Sequence, residues 1–221
     1  MRITTTNNTN FCSRNKTIRF ADDIARQVNK CYPRLSASKI ESKSAASKFP
    51  DFVKSLIEMT NDGVRYFKDV LYDSSESFYD RIKAFIKPVK EYKLGNCGES
   101  AQLAAIVAKI NGIKDCHIVL LRNTEENCQD KDLDHLVLFV NDKKPYIIDP
   151  WLGIADYVPN ILSKYKYDYS KEFGIKQNEK ATFCSMIDDE YTDFLKDDFS
   201  RKQINKLKKI YPELFIKRGY V

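Results

Sequence analysis

The chain has 221 residues, 43% of them hydrophobic, and a formal net charge of +6 from 37 Lys and Arg against 31 Asp and Glu. That is enough for one good-sized domain with a real apolar core. No apolar run approaches the roughly 18 residues that span a bilayer, so no membrane insertion is expected. The bases are interspersed with acids, which reads as solvated surface and not as a nucleic-acid footprint.

The N-terminus, Met-Arg-Ile-Thr-Thr-Thr-Asn-Asn-Thr-Asn, has no apolar core of a secretory signal, which predicts a cytoplasmic chain. Residues 1–15 are polar and are expected to be disordered or loosely attached. Residues 16–221 are expected to form a single domain: a helical part over 16–90, a core over 91–155 and an extension over 156–221. The six cysteines, Cys12, Cys31, Cys97, Cys116, Cys128 and Cys184, are widely spaced. Without a Cys-x-x-Cys pair or a histidine at metal spacing they predict no zinc site and no bound metal. In a long chain without a signal they fit a reducing compartment.

In chain order, Ile18, Phe20, Ala21, Ile24 and Val28 predict a helix from Thr17 to Tyr32, stopped near Pro33. Residues 35–48, rich in Ser, Ala and Lys, read as weakly helical or linker-like. Phe52, Val53, Leu56 and Ile57 predict a short helix over Pro50–Met59, ended by Asn61-Asp62-Gly63, with a second over Val64–Tyr72. Phe78–Ile86 is expected to be a helix stopped by Pro88.

The sequence Gly95-Asn96-Cys97-Gly98-Glu99-Ser100-Ala101 then reads as a tight turn running into a helix. Gly95 supplies backbone freedom for the turn. Asn96 is an N-cap, and Glu99 stands where a capping box places its carboxylate. The helix body, from Leu103 to Ile110, is apolar on nearly every side and so predicts burial. A thiol on the first turn of such a helix lies at the positive end of the helix dipole, a setting that favours thiolate. Asn111-Gly112 caps the far end.

Three strand-length apolar runs follow: His117–Leu121, His135–Val140 and Pro145–Asp149, with a hairpin turn over 141–144 between the second and third. The loop from Arg122 to Asp134 is polar and acid-rich, and is expected to be exposed. Tyr165, Tyr167 and Tyr169 alternate, compatible with a strand or a loop. Residues 200–215 read as a helix with Ile204, Leu207, Ile210, Leu214 and Phe215 on one face; the basic run over 201–209 is its charged side. Helices followed by an antiparallel meander predict an α+β fold.

Cys97 opens the central helix, His135 opens the second strand and Asp149 closes the third. A short hairpin sets the start of one strand beside the end of the next, so His135 and Asp149 fall together. Packing the helix N-terminus on that edge brings the thiol to the imidazole. That is the arrangement of nucleophile, base and orienter used in covalent catalysis. The other histidine, His117, has no Asp-Pro element spaced to orient it. Asp149 also serves as a cap for the turn at Pro150. Trp151 reads as core or pocket wall, Glu99 as a cap, and Asp134 as a substrate contact or a solvated acid.

Gly95-x-Cys97-x-Glu99-x-Ala101, Gly112-Ile113, Asp134-His135-Leu136-Val137 and Tyr146-Ile-Ile-Asp149-Pro150-Trp151 together resemble the core of the papain-like and transglutaminase-like cysteine enzymes. They are similar to bacterial transglutaminase-like domains and to papain-fold toxins and effectors that deamidate host glutamines. The resemblance covers residues 90–155. It implies a central helix on an antiparallel sheet, a Cys97-His135-Asp149 triad and no cofactor. It implies a protein substrate, a host protein among the options, and delivery into a host cell by a specialised secretion system. Papain-type proteases carry an oxyanion-binding glutamine just before the nucleophile; here that stretch is Glu91-Tyr92-Lys93-Leu94. Oxyanion binding then falls to backbone N–H groups of the first turn or to Asn96. This departure favours glutamine deamidation or transamidation. A cysteine protease and a non-catalytic binding module on the same fold are the alternatives.

Overall fold

The computed structural model describes residues 16–32, 51–123, 135–161, 181–186, 195 and 197–216. In chain order these contain α1 (Lys16–Cys31), α2 (Asp51–Asp73), α3 (Phe78–Tyr92), α4 (Cys97–Ile110), β1 (Cys116–Asn123), β2 (His135–Val140), β3 (Tyr146–Asp149), β4 (Ile154–Tyr157), β5 (Ala181–Met186), α5 (Arg201–Ile210) and a 3-10 turn, Pro212–Leu214. The fold is mixed α+β, as the sequence predicts. Residues 1–15, the linker over 35–48, the tyrosines at 165, 167 and 169, and the loop over 124–134 lie outside the described residues.

The strands form one antiparallel sheet in the order β4-β3-β2-β1-β5. Two apolar layers cover it. On one face Ile118, Leu138, Val140, Tyr146, Ile148 and Ala155 join the main core with α1, α3 and α4. On the other, Val119, Val137 and Ile147 pack with Trp151 and Ile161. Burial on both faces explains why β2 and β3 read as continuous apolar runs and not as alternating ones. Among the described residues, no helix is long and apolar enough to cross a membrane.

Helix α4 is the hub. Every residue from Glu99 to Ile110 is buried, and α4 meets α1, α3, α5 and strands β1, β2 and β3. Helix α1 shows the amphipathic pattern its sequence predicts, with Ile18, Ala21, Ile24, Ala25 and Val28 turned inward. It packs on β3, β4 and α4. Buried Asp22 accepts a hydrogen bond from the Ala155 N–H at 2.8 Å, tying α1 to the outer strand β4.

Two expected helix boundaries are corrected. The predicted break at 61–63 is absent: α2 runs unbroken through Gly63. A glycine inside a helix costs about 1 kcal/mol. Thr60, Val64, Phe67 and Leu71 stay in helical phase across it, with Val64 buried, and that inner face packs on α3. Likewise α3 does not stop at Pro88 but continues to Tyr92, because Phe85, Ile86, Pro88 and Val89 all remain buried. It is capped by Ser77, whose side chain accepts from the Asp80 N–H, and closes on Lys93 in the left-handed region at φ 56°. Two strands go unforeseen: β4, four residues long, and β5, which pairs with the far side of β1. Pro212 splits the expected C-terminal helix into α5 and the 3-10 turn.

Asn111 closes the molecule at the far end of α4. Its amide donates to the carbonyls of Val107 (2.8 Å) and Leu214 (3.0 Å) and accepts from the Ile216 N–H (3.1 Å). Asn111→Ala leaves the buried Leu214 carbonyl and Ile216 N–H without this partner. The expected cost is about 2 kcal/mol of unfolding free energy in a denaturant titration, with the urea slope unchanged.

Candidate active site

The site is assembled where the N-terminus of α4 meets the ends of β2 and β3. Gly95, at φ 157°, leads into Asn96, the N-cap of α4 in extended conformation, and Cys97 is the first helical residue. Gly95, Glu99 and Ser100 are buried, whereas Asn96, Cys97 and Gly98 are half-buried. The thiol is therefore reachable on a turn that is otherwise fixed. The Ser100 hydroxyl donates to the Asn96 carbonyl at 2.7 Å, bracing the turn from inside. A Cβ on Gly98 would stand 3.4 Å from Leu136 Cδ1, so the first turn of α4 faces β2 at van der Waals distance.

The same turn is held by Glu99. Its Oε2 accepts the Asn96 backbone N–H at 2.8 Å, the carboxylate half of a capping box. Its Oε1 meets Arg65 Nε from α2 at 3.3 Å. Burial opposes the charged carboxylate, but Arg65, then Lys68 and the Asn96 N–H, outweigh it and hold its pKa below the ordinary value. The cap expected of Glu99 is present. Its link to α2 through Arg65 was not read from the sequence; a buried carboxylate demands a cation, but nothing in the spacing says which one.

The strand side comes from the β2–β3 ladder. Leu138 faces Ile148; continued outward, the same register sets Asp149 opposite Val137, one step along the same face from His135. His135 Nε2 and Asp149 Oδ2 are 2.6 Å apart, and both side chains are essentially sealed from solvent. Asp149 Oδ1 accepts the Leu152 N–H at 3.1 Å, so the carboxylate also caps the turn after β3. Trp151 is buried with its ring centroid 5.1 Å from that of His135, tilted by 52°, forming a wall beside the imidazole. Burial disfavours the charged imidazole, but the charge and hydrogen bond of Asp149, followed by the hydrogen bond and charge of Cys97, raise its pKa to about 10. Cys97 packs against the same cluster as Trp151 and Val137 and is close enough to the ring to raise its pKa.

The structure brings Cys97, His135 and Asp149 together, with Asn96 and Trp151 around them. His117 is elsewhere. It stands near the start of β1 opposite Phe139, at the far end of the strands, and bonds exposed Asp115 at 2.7 Å. Asp134 lies outside the described residues. Cys31 and Cys116 are also free thiols. Burial raises the Cys116 pKa to about 11, and burial followed by the charge of Glu213 raises that of Cys31. Among the described residues no group of three or more His, Cys, Asp or Glu side chains is placed to hold a metal ion.

No family model, curated protein or solved structure matches the chain.

The raised pKa of His135 makes stability depend on pH in a definite direction. Below about pH 6.5 the ring is protonated folded and unfolded, and the pairing with Asp149 contributes in full; the contribution shrinks as pH climbs and is gone above about pH 10. In Asp149→Asn the charge of Asp149 is lost while burial still opposes the charged ring, so the ring pKa falls and this loss of stability with rising pH shrinks. Between about pH 7 and about pH 9 the natural chain should lose melting temperature relative to Asp149→Asn. Parallel curves would contradict the assignment.

Proposed function

We propose that the protein is a cysteine-dependent enzyme that attacks a carboxamide, most simply the side chain of a protein glutamine, through Cys97, His135 and Asp149. One observation carries this reading. A half-buried thiol on the first turn of a helix stands beside an imidazole that is fixed by a buried carboxylate. The sulfur sits at the positive end of the α4 dipole, beside the imidazole that would take its proton. Asp149 occupies Nε2, which leaves Nδ1 for the sulfur and fixes the tautomer of the neutral ring.

The steps follow from that arrangement. The Cys97 sulfur adds to the amide carbon and forms a tetrahedral oxyanion. Cys97 and Gly98 supply backbone N–H groups at the first two helical positions, which have no intrahelical acceptor, and Asn96 flanks them. Protonated His135 gives its proton to the leaving nitrogen, ammonia departs and a thioester remains. His135 then takes a proton from water or an amine, which resolves the thioester and restores the thiol. Water yields deamidation, and an amine yields transamidation.

Two features support this branch over peptide hydrolysis. No glutamine precedes the turn over 91–94, and the N-cap amide is already engaged by Glu99, so the oxyanion donors are confined to the helix start. The placement of the nucleophile's helix on an antiparallel sheet supports a papain-like or transglutaminase-like core. Delivery into a host cell as an effector is the setting that the motif resemblance suggests.

Alkylation with iodoacetamide at about pH 6 tests the nucleophile. Cys97 should react at least about tenfold faster than Cys31 or Cys116, and His135→Ala should remove most of that advantage. Equal labelling of the three sites would defeat the reading. Intact mass of glutamine-containing test proteins separates the chemistries: a gain of about one dalton with release of ammonia marks deamidation, an amine adduct marks transamidation, and fragments would transfer the assignment to proteolysis. Each signal should vanish in Cys97→Ala. Glu99→Gln removes the charge that Arg65 holds, and should slow alkylation of Cys97 several-fold while leaving the far-UV circular dichroism unchanged.

A further inference from the structure

An open cleft of about 580 Å³ lies between the C-terminal end of α4, helix α5 and the residues that follow the 3-10 turn. That volume is in the range of small-molecule sites. Ile110, Ile204, Phe215 and Ile216 give it an apolar lining, with Ile110 and Ile216 buried at its floor. Asn111 fixes this floor, because its amide holds both the Leu214 carbonyl and the Ile216 N–H. Helix α5 supplies the other wall through Arg201, Ile204, Asn205 and Lys208, which share one helical face. Arg201 and Asn205 are exposed and form the rim.

The charge of the cleft is one-sided. Arg201 and Lys208 are cations, and among the described residues no carboxylate lines it. Asp198, just before α5, is engaged by Lys109 at 3.6 Å and by Lys114 at 3.3 Å. The last turn of α4 does not need the two cations either. Its carbonyls at Val107, Ala108 and Lys109 accept from the backbone N–H groups of Asn111, Ile113 and Gly112. The Lys208 ammonium stands 3.9 Å over the Phe215 ring, which props it at the cleft.

We infer that the cleft binds a small amphipathic anion, of which a medium-chain carboxylate is the simplest. The aliphatic body lies on Ile110, Ile204, Phe215 and Ile216, and the head meets Arg201 at the rim. A guanidinium takes a carboxylate through two parallel N–H donors. Asn205 is the neighbour of Arg201 one turn on and adds an amide donor. Lys208 lies one heptad from Arg201, about 10.5 Å along the helix, and contributes through its field. The apolar groups of the cleft are at its floor and the polar ones at its rim, so a ligand covers both only if its body enters the protein. Ile110 and Ile216 are too recessed for a flat bilayer to reach. The cleft is at the opposite end of α4 from Cys97, and the inference stands whether or not the thiol is catalytic.

Amide proton–nitrogen correlation spectra of the full chain, titrated with sodium octanoate near neutral pH, test this. The signals of Gly112, Asn205 and Ile216 should move together to saturation, with a Kd of about 1 mM or tighter. Acetate, a head without a body, and octanol, a body without a head, should each bind at least about fivefold more weakly. Arg201→Glu should weaken octanoate about tenfold; the position is exposed on the first turn of α5, where an acid suits the helix. Ile204→Trp fills the cleft and should abolish the shifts. If that variant misfolds, Lys208→Glu makes a second electrostatic comparison. Shifts scattered over the surface, octanol binding as tightly as octanoate, or an affinity indifferent to Arg201→Glu would overturn the proposal. So would binding to phosphatidylserine vesicles without any response to octanoate, which would give α5 to a membrane surface.

Discussion

The bond between His135 and Asp149 sets the terms for everything around it. Both groups are sealed from water, and a buried charge without its partner is among the costliest things a fold can contain. The pair therefore demands one strand register and no other. A slip of one residue between β2 and β3 would send the imidazole and the carboxylate to opposite faces of the sheet. It also demands cover, which Trp151 and the layer of Val119, Val137, Ile147 and Ile161 supply. The two-layer sheet is thus what keeps this ion pair dry, and the short turn over 141–144 is what keeps it in register.

A second buried charge works from the other side. Glu99 grips the Asn96 amide and is itself gripped by Arg65, so the helix start that carries the thiol is clamped by α2 just as the imidazole is clamped by β3. Cys97 and Gly98 lie between the two clamps and, with Asn96, are the part-exposed residues of an otherwise buried turn. Rigidity on both flanks with access in the middle is what positioned chemistry requires.

The parts of this arrangement that are local in sequence were legible. The Gly-Asn-Cys-Gly-Glu turn, the apolar run behind it, the hairpin and the Asp-Pro end of β3 each involve neighbours, and each carries its own turn or capping chemistry. Gly63 and Pro88 misled because local punctuation was weighed alone. Residues beyond each kept burying apolar surface in helical phase, and that burial outweighs one poor helix former. Strand β4 was missed because four residues including Asp156 carry little pattern; its place is fixed by Asp22 from α1. Strand β5 was missed because its partner, β1, lies more than a whole hairpin earlier in the chain. The Arg65–Glu99 contact belongs to the same class: necessity was visible, identity was not.

Helix α1 closes on residues far downstream in the chain. Gln27 of α1 donates to the Glu213 carbonyl, 186 residues downstream, and Tyr32 donates to the Glu213 carboxylate. During synthesis α1 must wait for 186 further residues before that surface finds its mate. Such distant closure raises the contact order and slows folding. Its apolar side is bare until α4, β3 and β4 have been made, which leaves the nascent chain open to aggregation in the meantime. A fragment cut to the motif-bearing stretch alone would lack both ends of this clasp.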